Sequence, residues 1–209
     1  MAREFTSLTL IIMIVLIVLL GACAPLTKPS GETPELAVVN ENVKGPDPNR
    51  SYPEPIEREY TRALDLLQQK QWQKAEQSLR TLIATHPELC GPWFNLAVVA
   101  RHDEDFSGAE SYAQSSVQCN PDYPEPHNLL GVLDREQGDF SAAEIHYLQA
   151  LKVNSDYAPA ILNLAFLYDL YFGRLEEALN YYQRYFELNP DHPQIENWII
   201  DLKNRMKDV

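Results

Sequence analysis

Hydrophobic and polar positions divide the chain into three stretches with different patterns. Residues 8–20 form an apolar run that only Thr9 interrupts. Residues 24–55 are largely polar and contain seven prolines, a composition that cannot bury a core and favours an extended linker. From Ile56 onward, small and bulky apolar residues recur at a fixed period. The pattern therefore predicts an apolar N-terminal segment, a linker and a repetitive folded domain.

The period of the third stretch is 34 residues. Small residues recur at this interval at Ala63, Ala97, Gly131 and Ala165. A second small series, with spacings of 34, 34 and 35, consists of Ala75, Ala109, Ala143 and Ala178. Three positions before each member of the second series lies a bulky residue: Trp72, Phe106, Phe140 and Leu175. Twelve positions after each member come Pro87, Pro121, Ser155 and Pro190.

This order of small, bulky and proline positions resembles the tetratricopeptide repeat, a helix–turn–helix unit of the same period. The resemblance implies an all-α solenoid of about four units. We place the units at 56–89, 90–123, 124–157 and 158–192, with a C-terminal capping helix within 193–209. The extra residue of the fourth unit is expected near residues 170–173. Gly138 and Gly173 are expected in the turns between helices, because glycine tolerates a positive φ.

In this family the first helices of the units line a concave groove that binds ligands. The resemblance therefore implies a peptide-binding groove, largely apolar and aromatic, that would hold a peptide segment or helix by hydrophobic anchors. Its predicted residues are Tyr60, Leu64, Phe94, Asn95, Val98, Arg101, Asn128, Val132, Arg135, Leu162, Asn163 and Phe166. A polar strip at one side adds His102, Glu136, Asp169 and Leu170.

Four of the groove residues carry more specific expectations. Phe94 and Phe166 are expected to be accessible as anchors. Asn95 and Asn163 are expected either to bond the backbone of a ligand or to bond their own helices.

The N-terminal segment has the layout of a secretory signal peptide, a short n-region followed by an apolar run and small residues. The run is shorter than the roughly 20 residues of a membrane-spanning helix. Residues 20–23, Leu-Gly-Ala-Cys, resemble the lipobox of bacterial lipoproteins. That resemblance implies a signal peptide over 1–22 and a lipidated Cys23, usually also acylated by palmitate, at the start of a disordered tether over 23–55. Ala24 in place of Asp favours the periplasm-facing side of the outer membrane. Inner-membrane anchoring and an uncleaved helical anchor are the alternatives.

The net charge of the chain argues against two classes of binding partner. With 17 Lys and Arg against 30 Asp and Glu, the formal net charge is −13. Nucleic acid rewards clustered Lys and Arg, and anionic headgroups repel an acidic chain, so we expect no nucleic-acid partner and attachment to the membrane through lipid.

The sequence contains no motif that indicates catalysis. The five histidines lack the spacing of metal ligands, and no nucleophile elbow, P-loop or Cys-x-x-Cys occurs. We expect no enzyme activity, cofactor, metal or small-molecule substrate. Some members of the repeat family bind C-terminal carboxylates with paired Lys and Asn. That clamp is not predicted, because Glu125 and Leu129 stand where the third unit would need Lys and Arg.

Three cysteines are too few for a disulfide scaffold. Cys90 and Cys119 lie at the same end of the second unit, and an oxidising periplasm would permit a disulfide between them. Their side chains are expected to face different neighbours, so buried free thiols are the favoured interpretation.

These features together predict a membrane-anchored adaptor that binds another envelope protein. Known lipoproteins of this architecture assist assembly of outer-membrane machines, such as the type IV pilus secretin or the β-barrel insertion complex. Others gather cell-wall hydrolases. A structural homo-oligomer formed through the groove is the third possibility.

Overall fold

The computed structural model describes residues 52–207, and this range is helical throughout apart from short turns. Its α-helices are α1 (Glu54–Gln68), α2 (Trp72–Thr85), α3 (Cys90–His102), α4 (Phe106–Cys119), α5 (Pro124–Gln137), α6 (Phe140–Val153), α7 (Ala158–Phe166), α8 (Leu175–Leu188) and α9 (Ile195–Arg205). A π-helical segment, Leu167–Phe172, continues α7. Successive helices pack as the pairs α1–α2, α3–α4, α5–α6 and α7–α8, and α9 packs on α8. The predicted all-α repeat fold is confirmed.

The predicted signal peptide, Cys23 and most of the predicted tether lie outside the described residues. Within residues 52–207, no helix combines the length and apolar character needed to cross a bilayer.

Small side chains hold the two helices of each unit close together. Ala63, Ala97 and Ala165 on the first helices have no exposed surface, and the same is true of the four alanines that form the second small series. In the third unit the small residue is Gly131, and the ring of Tyr147 lies against it. A Cβ atom at Gly131 would lie 2.6 Å from Tyr147 Cε1. The missing methyl group therefore makes room for a larger residue on the second helix.

The first helix of every unit ends with one residue in the left-handed region of φ. Gly138 (φ 85°) and Gly173 (φ 65°) lie where the sequence predicts turns. Lys70 (φ 56°) and Glu104 (φ 61°) occupy the corresponding positions of the first two units. The turn geometry is thus kept in all four units, whether or not a glycine is present.

The extra residue of the fourth unit is accommodated in the π-helical segment Leu167–Phe172, which ends at Gly173. A π-turn takes in one more residue than an α-turn, so the spacing of 35 leaves the following helix in place. The expected position of the insertion, residues 170–173, overlaps this segment.

The last helix covers the end of the repeat stack. Ile195 and Leu202 of α9 are fully buried, and Trp198 packs against the same apolar cluster. Arg205 Nη2 donates to both carboxylate oxygens of Asp169, at 2.7 and 2.9 Å. Because the Asp169 side chain is only 6% exposed, this ion pair fixes α9 against the end of the fourth unit.

Cys90 and Cys119 form a disulfide, and the expectation of two free thiols is wrong. Their Cα atoms are 5.3 Å apart, because Cys90 begins α3 and Cys119 ends α4. The two residues lie at one end of the helix pair and their side chains point toward each other. The bond closes the second unit on itself.

Candidate functional site

The first helices α1, α3, α5 and α7 form one face of the repeat stack, which we call the first-helix face. A side-chain hydrogen bond joins each neighbouring pair of these helices. Asn95 Nδ2 donates to the Tyr60 hydroxyl at 2.9 Å, and Asn163 Nδ2 donates to Asn128 Oδ1 at the same distance. Between α3 and α5, Arg101 donates to both carboxylate oxygens of Glu136. In each case the partners are 35 residues apart, which fixes the register of one unit on the next.

Ten of the twelve predicted groove residues are buried in the structure. Leu64 and Arg101 alone among the twelve are partly exposed. The first helices α3 and α7 each contain seven consecutive buried residues, 94–100 and 160–166. The predicted positions therefore lie together on the first helices, but most of them serve as packing residues.

The expected accessibility of Phe94 and Phe166 is wrong, since each is 1% exposed. Phe166 packs edge-to-face on Trp198, with ring centroids 5.1 Å apart, and on Tyr182 at 5.7 Å. The capping helix α9 thus covers a side chain that would otherwise line the groove. Phe94 lies in the apolar cluster that joins the second and third units.

The Nδ2 atoms of Asn95 and Asn163 each donate to a side chain of the preceding unit, so these two bonds lie between helices and not within one helix. Both amides are fully buried. Their donors hold first helices together, as buried polar groups do when they find partners. The Oδ1 atom of Asn163 is buried and accepts no hydrogen bond from the described residues.

Two acidic residues of the polar strip are paired, whereas the neighbouring Arg135 forms no ion pair with a described residue. Asp169 is bound by Arg205, and Glu136 is bound by Arg101. Arg135, which lies one residue before Glu136, is 5% exposed, and its side chain shares a hydrogen bond with the Tyr147 hydroxyl.

Tyr147 stands next to this guanidinium. Burial raises the pKa of the Tyr147 phenol, and the positive charge of Arg135 opposes that rise. The Tyr147 hydroxyl is also buried, and a side-chain hydrogen bond with Arg135 further lowers its pKa. Arg135 and Tyr147 together form a buried polar pair between the two helices of the third unit.

Profiles of the tetratricopeptide repeat match residues 60–124 and 158–192. The chain is a tetratricopeptide repeat protein. No curated protein sequence matches it significantly.

Solved tetratricopeptide repeat structures have the same fold. The protein TTC0263 of Thermus thermophilus is 25% identical, with a TM-score of 0.60, over 72% of this chain and 82% of that chain. PilF of Pseudomonas aeruginosa is 19% identical, with a TM-score of 0.67, over 74% of this chain and 70% of that chain. The first repeat domain of Spaghetti, bound to the HSP90 peptide SRMEEVD, is 17% identical, with a TM-score of 0.52, over 55% and 93%. The fold is that of a protein–protein interaction scaffold, a class that is typically non-catalytic.

Two residues of the site in this tetratricopeptide repeat protein are not predicted from its sequence. Tyr147 belongs to a second helix and therefore lies outside the positions that line a groove in the family. Its signal in the sequence is Gly131, whose missing side chain allows a large residue opposite. Arg205 belongs to the capping helix, and no sequence spacing links it to Asp169.

Proposed function

We propose that this tetratricopeptide repeat protein is a membrane-anchored adaptor of the bacterial cell envelope. It binds another envelope protein through the first-helix face and supports assembly of an outer-membrane complex. The observation that carries the proposal is the set of hydrogen bonds between first helices, which fixes four helices in one register as a binding face. In one protein of the same fold, such repeats hold a peptide.

The Cys90–Cys119 disulfide supports export from the cytoplasm. Disulfides persist in oxidising compartments, such as the periplasm, and are rare where thiols are kept reduced. This observation is independent of residues 20–23, whose sequence resembles a lipobox. Two different regions of the chain therefore favour the same compartment.

Lipid attachment at Cys23 suits the charge of the protein. A chain with a net charge of −13 gains nothing from anionic headgroups, whereas each buried CH₂ of an acyl chain contributes about 0.8 kcal/mol. Two or more chains make a stable anchor. Anchoring to the outer membrane would confine the adaptor and its partner to one thin layer, which raises their effective concentration without new contacts.

A photoreactive amino acid placed on the first-helix face in living cells tests this function. Leu64 and Leu170 are suitable positions, since Leu64 is partly exposed and Leu170 is 43% exposed. Ile145, which is 59% exposed on a second helix, serves as the control position. We expect one envelope protein to be captured from both test positions and not from the control.

The identity of the captured protein separates the specific roles. A secretin-like or β-barrel assembly subunit would support the proposed role in assembly. Soluble cell-wall hydrolases would indicate a hydrolase adaptor instead. Capture of the chain itself would indicate a homo-oligomer, and equal capture from the control position would contradict binding at the first-helix face.

A further inference from the structure

The outward side of the second helices is polar in three units and apolar in the middle of the third. The same four positions are exposed on each of these helices, and they recur with the period of the repeats. On α6 the four positions hold Ser141, Ile145, Leu148 and Lys152. The two middle positions hold Gln77 and Arg80 on α2, Ser111 and Gln114 on α4, and Asn180 and Gln183 on α8.

Ile145 and Leu148, which we call the α6 patch, form an exposed apolar pair. Ile145 is 59% exposed and Leu148 is 40% exposed. They lie three residues apart on one side of the helix, so their side chains are neighbours. Neither belongs to the apolar clusters formed within residues 52–207. Because the other units fold with polar residues at these positions, packing of the repeat does not require the pair, which indicates contact with another molecule.

The surroundings of the α6 patch carry almost no charge. The charged side chains of α4 and α6 at neutral pH are Glu110, Glu144 and Lys152. These two helices therefore have a net charge of −1, whereas the whole chain has −13. Two acidic proteins repel each other least where the facing surfaces are nearly neutral. This side of the third unit is therefore a surface on which a second copy of the chain can approach the first.

We propose that the α6 patch binds the α6 patch of a second copy of this chain. A two-fold axis through the centre of the patch would place Ile145 of one copy on Leu148 of the other, and the reverse. Each residue is then used twice, so a pair of side chains on one helix gives two apolar contacts. The contact involves second helices and leaves the first-helix face of each copy uncovered.

The pairing is expected to be weak in dilute solution. Two crossing helices bury less than the roughly 1,200 Å² of total surface that stable interfaces reach. The membrane attachment proposed above would confine the copies to one thin layer and raise their effective concentration. A pair would also hold two first-helix faces, which raises the avidity for a partner with two binding segments.

A membrane surface fits the α6 patch less well than a second copy does. Helices that lie on a bilayer combine a broad apolar face with several Lys or Arg residues. The outward side of α6 has two apolar residues and one cation, Lys152. A lipid contact is therefore treated as a separate outcome of the experiment.

Photocrosslinking in living cells tests the pairing. A photoreactive amino acid replaces Gln149, an exposed residue next to Leu148, in the full-length chain, and two copies with different tags are expressed together. We expect a crosslinked species that contains both tags. Gln77, which is the exposed equivalent of Ile145 on α2, serves as the control position and should give no such species.

Substitutions that copy the second unit remove the α6 patch without disturbing the core. Ile145→Ser with Leu148→Gln gives α6 the residues that α4 has at these positions. We expect capture from position 149 to fall at least about tenfold, because the apolar contacts of both copies are lost. Gln77→Ser with Arg80→Gln makes the matched change on α2 and should leave capture unchanged. Both variants should melt at the temperature of the wild type, since all four positions are exposed.

Three results would overturn the pairing. They are the absence of a doubly tagged species from position 149, equal capture in the α6 variant, and crosslinks to lipid or to a different protein alone. The proposed function is tested separately by crosslinks from the first-helix face. An envelope protein captured there without pairing here would leave that function intact. Pairing here without that capture would contradict the proposed function alone.

Discussion

Lys70 and Glu104 adopt a backbone conformation that their side chains disfavour. Both have φ values near 60°, at the positions where the third and fourth units have glycines. A residue with a Cβ atom costs about 1–2 kcal/mol in this region, because Cβ approaches the following carbonyl oxygen. The turn is kept because the packing of the two helices determines it, so these two positions hold local strain.

Replacing Glu104 with glycine should stabilise the protein. We expect the free energy of unfolding in urea to rise by about 1 kcal/mol, since the strain is relieved and the side chain is exposed. Gly138→Ala is the matched reverse change. A Cβ atom at position 138 would have no neighbour within 4 Å. We therefore expect Gly138→Ala to lower the free energy of unfolding by about 1 kcal/mol through backbone strain alone. Equal stability of all three proteins would show that the turns are not strained.

Gly131→Ala should destabilise the third unit for a different reason, direct contact. The added methyl carbon would lie 2.6 Å from the Tyr147 ring and 3.1 Å from the Ala143 carbonyl oxygen. We expect a loss of about 1–3 kcal/mol in the free energy of unfolding, as for other overpacked cores. Adding Tyr147→Leu should recover part of it, since the first unit combines Ala63 with Leu79 at the equivalent positions. A double variant as unstable as the sum of both changes would rule out this pairing.

At the scale of the helices, the unit most strongly constrained is the second. The Cys90–Cys119 disulfide joins the start of α3 to the end of α4. The hydroxyl of Ser116 also donates to the Cys90 carbonyl oxygen at 3.1 Å, so a hydrogen bond lies beside the covalent bond. No other unit within residues 52–207 is closed by a covalent bond, and at the C-terminus the Asp169–Arg205 ion pair holds α9.

Removing the disulfide should lower the stability of the repeats. A disulfide that closes a loop of this length raises the free energy of unfolding by about 3–4 kcal/mol, because it lowers the entropy of the unfolded chain. We expect the double variant Cys90→Ala, Cys119→Ala to unfold at a correspondingly lower urea concentration. A reductant should produce a similar shift in the wild type and none in the double variant. A wild type that reductant does not affect would show that the bond does not form in solution.

The helices themselves were predictable from sequence, because small and bulky positions repeat with the period of the packed unit. The turn residues Gly138 and Gly173 were predictable for the same reason. The disulfide was not, since the direction of two side chains at the end of a helix pair depends on how the helices twist. Burial of Phe166 was not either, because its cover is Trp198 of α9, whose contact depends on the angle at which the last helix packs.

In the folded domain as a whole, the units interact in order along the chain. Each apolar cluster draws its residues from neighbouring units, and the hydrogen bonds of the first helices join each unit to the preceding one. Stability in such a stack is close to a sum over units and their interfaces. A binding face that crosses several units therefore depends on every interface between them.

Membrane attachment is a property of the full chain that a single substitution tests. Cys23→Ser should move the protein from the membrane fraction to the soluble fraction, with the repeats still folded, because the thiol that would carry the lipid is lost. Incorporation of labelled palmitate should disappear with it. The variant lacking Cys90 and Cys119 is the control and should remain in the membrane fraction. A Cys23→Ser protein that stays wholly in the membrane would indicate a helical anchor instead.

The closed second unit also affects how the protein responds to mechanical load. An adaptor held at one end by a membrane and at the other by a bound partner would be pulled along its chain. The bond between Cys90 and Cys119 bridges 29 residues, which would otherwise extend by about 100 Å when that unit unravels. In the oxidised protein, force passes through two sulfur atoms and bypasses these residues, so the maximum distance over which the protein can be stretched depends on the redox state of one pair of cysteines.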